Sequence, residues 1–95
     1  MSNTKRYLES LEGYARARDR AIIDSLTLDS VEPFKAFIQI KRELGILPPC
    51  FKDVTDEVLA ITIRKMSLYC VNVPQDLKER SVAWLLSRGY DLHLD

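Results

Sequence analysis

The side chains that could carry bond-making chemistry in this chain are two cysteines, one histidine and a small group of carboxylates. Cys50 and Cys70 lie far apart, with neither a CxxC nor a Cys-His spacing, so they form no redox pair or zinc motif. His93 is the single histidine, and one imidazole cannot build a zinc site without both thiols. A reactive thiol needs a basic neighbour to hold its thiolate. Cys50 has only Lys52 beside it, and Cys70 sits in an apolar stretch where it reads as a small buried hydrophobe. Asp53, Asp56 and Glu57 cluster where a helix is expected to begin, and the positive end of a helix is reason enough for acids there. The three glycines are too widely scattered to cradle a phosphate. No catalytic residue, metal site or cofactor is expected, and the chain reads as a non-enzyme.

Binding chemistry is better represented. Trp84 and Tyr90 near the C-terminus, with Lys78, Arg80 and Arg88 around them, combine an aromatic anchor with a basic rim. Tyr, Trp and Arg are the residue types that concentrate at interface hot spots. The expected function is therefore a small protein–protein interaction module, an adaptor or regulatory accessory factor, docking through an apolar patch on its last helix. Its partner is a protein of unstated identity, with a homodimer as one version. The alternative is a nucleic-acid-binding accessory protein that uses Arg16, Arg18 and Arg20. Against it, Glu9, Glu12, Asp19 and Asp24 interleave with those arginines, which also suits an ordinary solvated face.

Charge balance supports the same order. Fourteen basic residues offset fourteen acidic ones, for a formal net charge of zero. Such a chain has no long-range attraction for nucleic acid or anionic membrane, and any contact needs a local patch. The opening MSNTKRYLES has no apolar signal region, and no run approaches the ~20 apolar residues that cross a bilayer. A cytoplasmic setting with free thiols is expected.

Ninety-five residues with 46% hydrophobic and 29% charged side chains fit a single domain, 1–95, able to bury its own core. The expected class is all-α, a bundle of about four helices over roughly 4–26, 31–44, 55–71 and 74–88. In the first, Leu8, Leu11, Ala15, Ile22 and Leu26 recur at helical steps, with Gly13 a weak point where the helix frays or bends. In the second, Ser30 and Pro33 mark the start, Phe34, Phe37, Ile38 and Lys41 the inner face, and Gly45 the end. Ile46–Phe51, with two prolines, is expected to be an extended strap. The third helix, capped by Asp53 or Thr55, is apolar on almost every side and is expected to be the buried centre. Asn72-Val73-Pro74 ends it. In the fourth, Gly89 followed by Tyr90 fits a Schellman ending.

Overall fold

The structure, a computed structural model, describes residues 2–46 and 54–93. The expected strap beyond Ile46, Cys50 and Asp53 lie outside the described residues, as does the side chain of Leu11. Among the described residues there are five helices and no strand: α1 (Ser2–Glu9), α2 (Leu11–Leu28), α3 (Glu32–Glu43), α4 (Asp56–Ser67) and α5 (Gln75–Ser87). The all-α class is as expected.

The first expected helix is two helices, broken at Ser10. The Ser10 hydroxyl accepts from the Gly13 N–H at 3.0 Å and donates to the Tyr7 carbonyl at 2.7 Å, so one side chain caps α2 and ties down the end of α1. Gly13 is what permits the sharp angle. A Cβ placed there would meet the Tyr7 carbonyl oxygen at 1.7 Å. The weak point anticipated at Gly13 is thus a close approach of backbone to backbone.

The other boundaries follow local capping chemistry. Asp29 ends α2 in the left-handed region (φ 51), a conformation that Asp tolerates better than most residues. The Ser30 hydroxyl accepts from Glu32 N–H, and Ser25 of α2 accepts from Phe34 N–H at 3.1 Å, satisfying donors of the first turn of α3. Thr55 caps α4 through the Val58 N–H. Gly45 (φ 71) and Gly89 (φ 78) close α3 and α5 with Schellman bonds, Ile46 N–H to Lys41 O and Tyr90 N–H to Leu85 O, both 3.0 Å.

The centre of the bundle differs from expectation. It is α2 that packs against all four other helices, whereas α4 packs mainly between α2 and α5. Ile22 of α2 is fully buried, with Leu26, Phe34, Phe37, Leu59, Ile63 and Leu77 in the same cluster. On α4, Leu59, Ile63, Arg64 and Ser67 are buried, while Val58 is half-exposed. The predicted segment also ends early. Leu68 caps α4, and beyond it Tyr69 and Val71 face outward in the connection to α5. Apolar composition all round α4 therefore reflects one buried face, partly buried flanks at Ile61 and Met66 and an exposed Val58, which periodicity alone does not separate.

Buried polar groups are paired. Lys41, expected on the inner face, is buried and donates to the Tyr14 hydroxyl at 3.2 Å while its ammonium lies 4.2 Å from the centre of that ring. Asp19, expected on the solvated face, is buried instead. It accepts from Arg18 and from Asn72 in the α4–α5 connection at 3.0 Å, so it ties α2 to the far end of the bundle.

Candidate functional site

The contact between α4 and α5 builds the site. The two helices run antiparallel, and small side chains let them approach: Ser67 and Ser81 are both fully buried and their hydroxyls meet at 3.1 Å. One turn along, at three-residue steps on each helix, Arg64 lies opposite Trp84. Its guanidinium carbon is 3.9 Å from the centre of the indole. Another turn brings Ala60 and Arg88 to the same hollow, and the Arg88 guanidinium lies 4.1 Å from the same indole. Tyr90 joins because the Schellman ending of α5 folds the chain back, stacking its ring on Trp84 at 6.3 Å and 16°. The Tyr90 hydroxyl donates to Glu57 on the first turn of α4 at 3.4 Å.

Arg64 is the pivot. Its Nη1 donates to the Ala60 carbonyl at 3.0 Å and its Nη2 to Asp29 Oδ1 at 2.9 Å. The side chain of Arg64 is 11% exposed and that of Asp29 is 79% exposed, so a buried guanidinium meets a carboxylate held out in solvent. Burial lowers the Arg64 pKa most; Asp29 opposes that shift, and the positive charges of Arg88 and Arg80 add to it. A guanidinium is so strongly basic that Arg64 stays charged at neutral pH despite this lowering.

Two shallow hollows flank the Arg64–Asp29 pair. One, of about 160 Å³, has Leu26 and Leu77 on its apolar side and Arg80 on its polar side. The other, of about 220 Å³, has Val31 and Ala60 on its apolar side and Arg88 on its polar side. Asp29, Arg64 and Trp84 line both, so the hollows form one groove with the ion pair across its middle. Three guanidiniums share this groove with one lining carboxylate. Among the described residues neither Arg80 nor Arg88 makes an ion pair.

The expected patch is thus partly assembled. Trp84, Tyr90, Arg80 and Arg88 come together. Lys78 does not: it stands about 120° around α5 from Trp84, on the side where its charge reaches Cys70. The patch is also less apolar than its composition suggests, since two guanidiniums lie over the indole and leave Trp84 and Tyr90 only partly exposed. Arg64 and Asp29 were not anticipated. They lie 35 residues apart in the chain, and no local spacing links them. The available hint was the spacing of Ala60, Arg64 and Ser67, which leaves room for a long side chain between two small ones.

The alternative basic surface is arranged differently. Arg16 pairs with Glu12, Arg18 with Asp19 at 3.1 Å, and Arg20 with Asp24 at 3.3 Å. Each arginine of α2 therefore has its own carboxylate.

Among the described residues no group of His, Cys, Asp and Glu could hold a metal ion, and no helix is long and apolar enough to cross a membrane. His93 is exposed, and its backbone N–H donates to Asp91. The Cys70 thiol is buried, and that burial, with a hydrogen bond to Asp19 as the second cause, pushes its pKa from 9.0 up to about 11. That is the reverse of an activated nucleophile. No family model matches the chain, and no curated protein or solved structure is significantly similar to it.

Proposed function

We propose that this chain is a small non-enzymatic binding module that docks a protein partner on the α4–α5 face around Trp84. The observation that carries the reading is the groove itself: an aromatic pair flanked by Arg80 and Arg88, guanidiniums that make no ion pair among the described residues. Aromatic and arginine side chains gathered at a concave surface are the usual anchors of protein interfaces. An adaptor or regulatory role belongs to the same reading, as a module without chemistry of its own acts by what it holds.

The nucleic-acid reading draws less support. Arg16, Arg18 and Arg20 already face acids, so phosphate would have to displace three intrachain pairs. A photo-crosslinking side chain at exposed Ser87, about 60° around α5 from Trp84, should give discrete protein adducts in cells, whereas one at Arg16 or Arg20 should not. Adducts confined to the α2 positions would contradict the docking face. Sedimentation at high micromolar concentration decides whether the partner is a second copy; a monomer there excludes the homodimer.

A further inference from the structure

The groove specifies the chemistry of its occupant. A guanidinium stacked flat on an aromatic ring keeps its N–H edges free, and those edges match the two oxygens of a carboxylate. The guanidinium carbons of Arg64 and Arg88 lie 3.9 and 4.1 Å from the centre of the Trp84 indole. Arg64 already uses one Nη donor on a carboxylate, that of Asp29, which therefore marks where an incoming carboxylate fits. Arg80 and Arg88 stand on either side of that point and make no ion pair among the described residues. The indole that would otherwise offer a face to a nucleic-acid base is covered by the two guanidiniums and Tyr90.

We propose that the groove binds an acidic segment of a partner protein, whose carboxylates bridge Arg80 and Arg88 and displace Asp29 from Arg64. The inference rests on the docking reading above and adds the ligand class and the exchange at Arg64. Asp29 acts as an internal competitor: it holds Arg64 in place when the groove is empty and gives way when a stronger acidic ligand arrives. Its carboxylate is suited to that exchange, because it is largely in solvent and recovers its hydration on release.

Trp84 is the only tryptophan and lies at the centre of the groove, so its emission reads binding directly. A capped hexaglutamate peptide at low ionic strength should produce a saturable change, weakening as salt rises. The Arg80→Ala/Arg88→Ala double variant should bind at least tenfold more weakly. Asp29→Asn, which keeps a residue tolerant of the left-handed conformation and removes the competing charge, should bind roughly fivefold more tightly. The ligand class is overturned by no saturable change at millimolar peptide, by unchanged affinity in the double variant, or by tighter binding of a single-stranded oligothymidylate of equal charge. Unchanged or weaker binding by Asp29→Asn overturns the exchange at Arg64. α5 cross-links to a protein partner in cells, with no hexaglutamate binding, would remove the acidic ligand and leave the docking face standing. Cross-links confined to α2 would remove the docking face itself.

Discussion

Two groups of three arginines in this molecule have opposite electrostatic fates. On α2, Arg16, Arg18 and Arg20 lie one turn or less from Glu12, Asp19 and Asp24, and each is paired within its own helix. Around Trp84, Arg64, Arg80 and Arg88 come from two helices and share Asp29 from the end of a third element. The first group is self-neutralised by spacing. The second is assembled by packing, and packing brought two more guanidiniums than carboxylates. A basic-looking stretch of sequence is thus no guide to where positive charge is available: Arg18 pairs with the adjacent Asp19, whereas Arg80, with Asp76 four residues before it on α5, makes no ion pair among the described residues.

The contrast can be broken most forcefully at Arg64. Arg64→Ala removes a buried stem, the Asp29 pair and the bond to the Ala60 carbonyl, and should cost about 2–3 kcal/mol in urea unfolding. Arg16→Ala or Arg20→Ala, at exposed pairs, should each cost less than about 0.5 kcal/mol. Equal losses at all three would erase the distinction. Asp19→Ala should cost about 2 kcal/mol, because the donors of Arg18 and Asn72 both lose a buried acceptor. It would show that only one of the α2 pairs belongs to the interior.

Smaller effects sharpen the same difference. Arg80→Ala should leave stability within about 0.5 kcal/mol of the parent, since no ion pair is lost and repulsion with Arg64 is relieved. At the Cys70 thiol, burial first and the hydrogen bond to Asp19 second disfavour the charged form. Folding raises the Cys70 pKa from 9.0 to about 11, so the folded chain holds this proton more tightly than the unfolded one. Its contribution is full below pH 9 and is lost as pH rises from 9.0 towards about 11. In a Cys50→Ser background, replacing Cys70 by Ala should flatten the fall of stability with pH across that window. An unchanged slope would mean that the thiol is not held as the structure places it.

Much of the fold was legible because it is written in local chemistry. Thr55, Gly45 and Gly89 act where capping rules place them, and Phe34, Phe37, Ile38 and Lys41 face inward as their spacing requires. The break at Ser10 was half legible: Gly13 marked a weak point, but the need for a bare Cα against the Tyr7 carbonyl depends on the angle between two helices. The central role of α2 was missed because its buried Asp19 looks solvated in a sequence, and its pairing partner Asn72 is distant in the chain. The site was legible in its aromatic pair and in Arg80 and Arg88, all on or next to one helix. Arg64 and Asp29 were not, because their meeting depends on how α4 packs against the end of α2, 35 residues away in the chain.

The central claim is that positive charge is available at Trp84 and not merely abundant in the chain. Quenching of the single tryptophan by an anion and by a cation measures this directly. The iodide-to-caesium ratio of quenching constants should be several-fold higher for Trp84 than for free N-acetyltryptophanamide at the same ionic strength, and the excess should shrink in Arg80→Ala/Arg88→Ala. A ratio equal to or below that of the free indole would contradict it.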